Sequence, residues 1–308
     1  MRMAEARGSY RIETSGGIAM SIFVVAGATG HVGSVVAREL LAAGHMVRAI
    51  VRSVEKGKAL AGKGAELLIG ELSDVAFLTR ALRGADGAFL LLPPTINAPD
   101  VRAIQDRIAQ VEADAVAESG VRHVVLLSSW GAESPSGTGP IVGLHVLEEA
   151  LKRTGAISTL LRAGSFTENL LNVLPVAQHQ GIMPNFFPPD YKLATIAASD
   201  IAAAAVRALL SPPAATQVVY ALGTNEYSAV DQAAYLSKKL GKEIKLLNLP
   251  VSAASSAIQQ GGVGASMANL LQEMYEGAMK GLIGVEPGHR VEKGSTTLEQ
   301  ALDPYFAK

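Results

Sequence analysis

The chain has 308 residues, a formal net charge of −1 and no cysteine. Near-neutrality leaves no global field to draw nucleic acid or an anionic membrane, and the missing thiols exclude disulfides, thiolate catalysis and sulfur-ligated metals. Hydrophobic residues make up 49% but aromatics only 5%, so Ala, Val, Leu, Ile and Gly must fill the core, as suits parallel strands buried on both faces.

Residues 1–20 are polar and mixed in charge, without the apolar segment of a secretory signal. They read as a disordered leader, with Met20 as an alternative first residue. No apolar run reaches the length of a membrane span, and the expected setting is the cytoplasm. From residue 21 onward, short apolar runs alternate with amphipathic stretches. Strands are predicted at 22–26, 46–51, 65–69, 88–92, 121–127 and 158–162. Helices are predicted after the first strand, closed by Gly44, and at 75–82, 100–119 and 144–154. This alternation implies an α/β fold with a Rossmann-type, doubly wound parallel sheet over 21–165. Ligands of such sheets bind beyond the carboxyl ends of the strands. After Phe166 the pattern loosens, punctuated by Pro175, Pro184, Pro188, Pro189, Pro212 and Pro213. Helices at 199–210, 229–240 and 265–280, with brief strands at 218–222 and 243–247, predict a smaller C-terminal substrate lobe over 166–308. Segments such as 193–222 are expected to return to the first domain.

The densest signal is Gly27-Ala28-Thr29-Gly30-His31-Val32-Gly33, between the first strand and the first helix. Gly27 permits a tight turn, Gly30 lets backbone approach a pyrophosphate, and Gly33 lets the helix pack close to the sheet. The helix N-terminus then directs its free N–H groups at the phosphates, with His31 facing them or solvent. The second strand ends in Arg52, with Lys56 and Lys58 following, where an NAD-preferring fold usually carries an acid. Arg52 can pair with a 2′-phosphate in bidentate fashion, which favours NADP(H). A merely solvated basic face, and NAD(H) through Glu55, stay open. Glu71, Leu72 and Asp74 follow the third strand in a loop of the kind that flanks adenine; Asp74 reads equally as a helix cap.

With these residues in hand the chain resembles the NmrA-like atypical short-chain dehydrogenases, in particular their quinone oxidoreductase 2 and triphenylmethane reductase type. The likeness spans residues 21–284 and rests on GATGHVG (27–33), VRAIVR (47–52), LLLPP (90–94), VVLLSSWGA (124–132), HVLEEAL (145–151), LLRAGSFTENLL (160–171) and ASDIAAAAVRAL (198–209). It implies a Rossmann domain with a small substrate domain that binds NADP(H) or NAD(H). Some proteins of this kind pass hydride to quinones or dyes; others sense the nucleotide ratio without turnover. Typical short-chain dehydrogenases use Tyr-x-x-x-Lys, whose lysine lowers the tyrosine pKa. The chain is read as lacking that motif, because its segment 143–149 holds neither tyrosine nor lysine.

The loops at strand ends supply the remaining candidates. The resemblance places Leu92, Pro93 and Pro94, with Thr95, along the nicotinamide ribose. Ser128, Ser129 and Trp130 are expected to leave the fifth strand: a serine donates to a carbonyl oxygen or caps backbone, and Trp130 walls an aromatic slot or simply packs. His145 and Glu149 lie one helical turn apart, as a proton relay or a structural pair. His145 is the one histidine carried as catalytic; His45, His123, His179 and His289 show no metal-ligand spacing. The resemblance puts Phe166 and Asn169 in the site between the lobes, stacking on and hydrogen-bonding to cofactor or substrate; ordering of the interlobe turn is the alternative. Phe186 and Phe187, with Tyr191, read as an apolar lid or as plain packing.

The expected function is NADPH-dependent hydride transfer to a quinone or similar small planar aromatic, with no metal, nucleic acid or membrane partner. A nucleotide-sensing regulator without turnover is the alternative. An isomerase or reductase of a secondary metabolite would want a lysine near His145, and none precedes Lys152. Homodimer formation through the C-terminal helices is left open.

Overall fold

A computed structural model describes residues 20–306; the expected leader, Met20 apart, lies outside the described residues. The first half runs β1 (Ile22–Val25), α1 (His31–Ala42), β2 (Met46–Val51), α2 (Val54–Ala61), β3 (Glu66–Ile69), α3 (Val75–Leu82), β4 (Gly87–Leu91), α4 (Val101–Ser119), β5 (His123–Ser129), α5 (Ile141–Leu151) and β6 (Ile157–Ala163). Next come β7 (Ser165–Phe166), α6 (Leu174–Gln180), β8 (Ile182–Asn185), β9 (Leu193–Ile196), α7 (Ala198–Leu210) and β10 (Gln217–Gly223). The chain continues through β11 (Glu226–Tyr227), α8 (Ala229–Leu240), β12 (Lys245–Asn248), α9 (Ala254–Gln260) and α10 (Ala265–Met279). It closes with β13 (Arg290–Gly294) and α11 (Leu298–Leu302).

Eight strands form the central sheet in the order β3-β2-β1-β4-β5-β6-β10-β13. Every neighbouring pair is parallel, so the Rossmann-type, doubly wound reading holds. Period-two alternation sends successive residues to opposite faces. Val25, Phe89, Val125 and Leu161 pack against Val36 and Leu40 of α1 and Ile201 and Ala205 of α7. Val24, Leu90, Leu126 and Leu160 pack against Leu78 of α3, Ile108 of α4 and Leu147 of α5. Each such Leu or Val withdrawn from water contributes about 1.5–3 kcal/mol. A third, separate core (Leu170, Met183, Tyr235, Leu236, Leu302) holds the C-terminal lobe, where two small sheets lie.

Three differences from the sequence reading bear on the ends of the sheet strands. β5 extends through Ser129, so Ser128 and Ser129 are its last residues and only Trp130 leaves it. Their side chains are polar, but their backbone still pairs with Arg162 and Ala163 of β6. α5 starts three residues early, at Ile141 behind Pro140, where a missing N–H costs nothing. β13 has no counterpart in the sequence reading: Arg-Val-Glu-Lys-Gly carries no apolar alternation because it pairs on one side only, at the sheet edge.

Candidate functional site

The carboxyl end of β1 builds a cradle from its glycines. Gly27 sits at φ +59°, a left-handed conformation, and a Cβ there would stand 2.7 Å from Leu91 Cδ2. The Gly30 N–H donates to the Gly27 carbonyl at 2.9 Å, closing the turn. A Cβ on Gly33 would strike the Gly27 carbonyl oxygen and stand 2.9 Å from the Ala26 oxygen. Ala28 and Val32 are buried anchors, whereas Thr29, Gly30 and His31 are exposed. Gly30 caps α1 without a side chain, and the first turn carries no acid. The positive helix end is therefore open to an anion, and only the absence of side chains keeps it so. This cradle fits a dinucleotide pyrophosphate. Beside it, the Tyr305 hydroxyl meets His31 Nδ1 at 3.2 Å, bringing the segment that follows α11 to the cradle.

Beyond β2, Arg52 and Lys56 are exposed, and neither side chain has a hydrogen-bond or ion-pair partner among the described residues. Ser53 caps α2 through the Lys56 N–H. Asp74 caps α3, its carboxylate accepting the Phe77 N–H at 2.9 Å, so the cap reading is realised. Glu71 is exposed beside buried Leu72. Leu92 and Pro93 are half-buried and Pro94 exposed on the loop after β4, where the Thr95 hydroxyl is buried with no partner among the described residues.

At the ends of β5 and β6 lies a buried charge cluster. The Ser128 hydroxyl donates to Glu148 Oε1 at 2.5 Å, and Ser128 is only 3% exposed. Arg162 grips the same carboxylate twice, through Nε to Oε1 at 3.1 Å and Nη2 to Oε2 at 2.8 Å. Its Nη1 reaches Glu133 at 3.0 Å, the Tyr220 hydroxyl at 3.0 Å and Glu286 at 2.6 Å. Burial alone would lower the Arg162 pKa, but the bond and charge of Glu148, with the bonds to Tyr220 and Glu286, more than offset it and hold the guanidinium charged. Burial pushes the Glu133 carboxyl up.

The Ala132 carbonyl accepts a hydrogen bond from His145 Nδ1 at 2.8 Å, and Nε2 has no partner among the described residues. Glu149 instead bonds Lys152 at 2.6 Å, which holds its carboxyl low. His145 and Glu149 therefore bond to different partners, not to each other. Trp130 is half-buried, its backbone N–H donating to the Ala163 carbonyl at 3.0 Å. Past β6, Phe166 is half-buried against the first core and Asn169 is exposed. Between them in sequence, both Glu168 oxygens accept the Ala198 N–H, at 3.0 and 3.1 Å, capping α7 from a distance. Burial raises the Glu168 pKa.

The rings expected to form a lid do meet. Phe187 stacks on Tyr191 at 5.1 Å with 13° between planes, and both Phe186 and Phe187 lie 5.3 Å from Tyr275 of α10. The sequence also contains Tyr235-x-x-x-Lys239, which corrects the reading that the motif is missing from the chain. It lies on α8, inside the C-terminal lobe, and not on α5. Burial and a hydrogen bond to Asp303 push the Tyr235 phenol up, and Lys239 is bound to Asp303 at 2.7 Å. This couple therefore does the opposite of activating a phenol.

The sequence profile of the NmrA-like family matches residues 20–300. The chain belongs to the NmrA-like family. It is 31% identical to an NAD(P)H azoreductase of Xenophilus azovorans over 82% of this chain and 86% of that one. To quinone oxidoreductase 2 of Escherichia coli it is 30% identical, over 84% of this chain and 89% of the relative. The crystal structure of the NADPH-dependent E. coli quinone oxidoreductase with NADPH superimposes with TM-score 0.77 at 27% identity, covering 93% of this chain and all of the other.

Within this NmrA-like chain the cradle, Arg52 and the loops after β4, β5 and β6 all lie at carboxyl ends of sheet strands. The sequence reading passed over Glu148 and Arg162, whose apolar neighbours masked a buried pair, and Tyr305, far away in sequence. It also passed over Tyr275, which sits in an otherwise ordinary amphipathic helix. Among the described residues no helix is long and apolar enough to cross a membrane, and no cluster of acids and histidines could hold a metal.

Proposed function

We propose that this protein is an NADPH-dependent reductase of quinones or similarly planar electrophiles. The carrying observation is the open glycine cradle on α1 with an uncommitted Arg52 at the neighbouring strand end. The two relatives named for azo and quinone reduction, matched over most of both chains, support the same reading.

Gly27, Ala28, Thr29, Gly30, His31, Val32 and Gly33 hold the pyrophosphate through backbone N–H groups. Arg52 and Lys56 bind the 2′-phosphate, so NADP(H) is preferred and NAD(H) binds more weakly. Glu71 and Leu72 flank the adenine. Leu92, Pro93 and Pro94 wall the ribose, with Phe166 against the ring. Bound nicotinamide supplies the hydride. The protein's task is then to stack a planar acceptor and answer the charge that develops on it. Trp130, Phe186 and Phe187 line the acceptor slot, and Asn169 is the exposed amide that contacts the acceptor. Ser128 fixes Glu148, and His145, whose Nε2 has no partner among the described residues, completes the polar set.

The deciding experiment titrates purified protein with NADPH and NADH by cofactor fluorescence, then adds a simple benzoquinone. Tight NADPH binding and cofactor loss above the uncatalysed background are expected. Binding without turnover across a broad quinone and dye panel would overturn the reductase reading in favour of nucleotide sensing.

A further inference from the structure

We propose that Tyr275 is the hydrogen-bond donor of the acceptor slot, its phenol holding a carbonyl oxygen of a quinone-type acceptor. The inference rests on the reductase reading and adds a phenol donor to the polar groups that reading names.

The first support is where α10 lies. The residue that caps it is tied to the loop after β4, since the Gly264 N–H donates to the Ile96 carbonyl and to Asn97 Oδ1, both at 3.0 Å. The Ser266 hydroxyl accepts the Val101 N–H at 3.0 Å. Further along, Glu273 accepts the Gly137 N–H at 3.0 Å, and Gly139 is pressed against Leu270 and Met274. The helix therefore bridges the loops that leave β4 and β5, at the carboxyl ends where ligands of such sheets bind. Leu270, Glu273, Met274 and Gly277 face those loops. Tyr275 points elsewhere, toward Phe186 and Phe187.

The second support is that this aromatic group is not core. None of its four rings belongs to the buried cluster that holds the C-terminal lobe. Phe186, Phe187 and Tyr275 are half-buried and Tyr191 is exposed, so the rings keep open faces. Aromatic rings at such separations and tilts present a flat apolar wall, suited to another flat ring.

The third support is the phenol itself. The Tyr275 hydroxyl has no hydrogen-bond partner among the described residues; Tyr220, Tyr227, Tyr235 and Tyr305 all have one, and of the two described phenols without one, Tyr191 is exposed and Tyr275 half-buried. A half-buried phenol without a partner among apolar rings is a donor in waiting. Burial raises its pKa, so it stays protonated at neutral pH. When a quinone takes up a hydride, one oxygen becomes phenolate, and one proton from solvent completes the hydroquinone. A hydroxyl placed on that oxygen bonds more strongly as the charge grows.

The test uses Tyr275→Phe, which keeps the ring and its packing. Calorimetric titration of nucleotide-free protein with 1,4-naphthoquinone should show acceptor affinity weakened by roughly 5–20-fold, with NADPH affinity unchanged. In turnover, kcat/KM for benzoquinone should fall on the order of 10–100-fold. Turnover of a triarylmethane cation, which has no oxygen to accept a bond, should be unaffected. A merely structural role would lower both acceptors together, and that outcome overturns the proposal. So does unchanged naphthoquinone affinity, or a wild-type protein that binds no quinone. Wild-type binding without turnover would instead sink the reductase reading, and the affinity comparison would still decide the role of Tyr275. Phe187→Leu serves as a second variant and should weaken both acceptors by removing the wall.

Discussion

Arg162 and Glu148 form a two-pronged ion pair inside the sheet-and-helix body, with bonds of 3.1 and 2.8 Å and side chains only 4% and 1% exposed. The pair joins the end of β6 to α5, and through the Ser128 hydroxyl it also joins the end of β5. Removing one partner strands a buried charge, which costs about 3–5 kcal/mol. Glu148→Gln and Arg162→Met should each lose stability of that size in urea denaturation. The double change Glu148→Gln with Arg162→Met should lose less than the sum, because neither member of the pair is then left charged without the other; the loss of Arg162 from Glu133 and Glu286 is common to the single and the double change. Additive losses would show that the two side chains act independently.

That pair also marks the limit of what the sequence could tell. Strands β1 to β6 were legible because parallel strands buried on both faces write continuous apolar runs, and GATGHVG announced itself through spacing and context. Glu148 and Arg162 lie 14 positions apart, and neither breaks its helix or strand pattern. Nothing local says that they meet. β13 was hidden for the converse reason: as an edge strand it needs no apolar alternation. Tyr235-x-x-x-Lys239 carries a motif's spacing without its neighbours, which shows that spacing alone does not make a site.

Arg52 supplies a cofactor-selective prediction. It is exposed and bonded to no described side chain, so replacing it disturbs no structural contact. Arg52→Glu puts a negative charge where a 2′-phosphate would sit. NADPH affinity should drop on the order of 10–100-fold, and NADH affinity should hold or rise. The NADPH preference of the unmodified protein should also shrink between low and high salt, because exposed charges are screened. Equal losses for both nucleotides in fluorescence titrations would remove Arg52 from the 2′-phosphate site.

Two glycines separate close approach from mere conformational freedom. Gly33→Ala drives a methyl into the Gly27 carbonyl, so α1 must move off the cradle. Nucleotide binding should be abolished and the Tm lowered. At Gly44, with φ +84°, an added methyl would meet nothing within 4 Å. Gly44→Ala should therefore cost only about 1 kcal/mol of backbone strain and leave nucleotide affinity intact. If Gly33→Ala binds NADPH normally, the cradle is not the phosphate site.

His123 makes the stability depend on pH in a defined window. It opens β5 at 2% exposure, with Nε2 3.2 Å from the Thr159 hydroxyl and Nδ1 buried with no partner among the described residues. Burial lowers its pKa from 6.5 to about 4. The native state thus stays neutral where the unfolded chain takes up a proton. The stabilisation is full above pH 6.5, declines as pH falls, and is lost by about pH 4. At about 1.4 kcal/mol per unit, the window carries roughly 3 kcal/mol. Glu112 works with the opposite sign. It is fully buried, neither oxygen has a partner among the described residues, and burial raises its pKa well above 4.5. Its native carboxyl keeps a proton that the unfolded chain has released, so stability is lost as pH rises above 4.5 until the native group ionises. The two slopes overlap and partly cancel in the unmodified protein, so each must be isolated by substitution. His123→Gln should remove the acid-side loss of Tm between pH 6.5 and 4 and leave the opposite slope of Glu112, and Glu112→Gln should raise the Tm most at the alkaline end. If His123→Gln and the unmodified protein lose the same Tm on acidification, the buried imidazole is not what the acid side titrates.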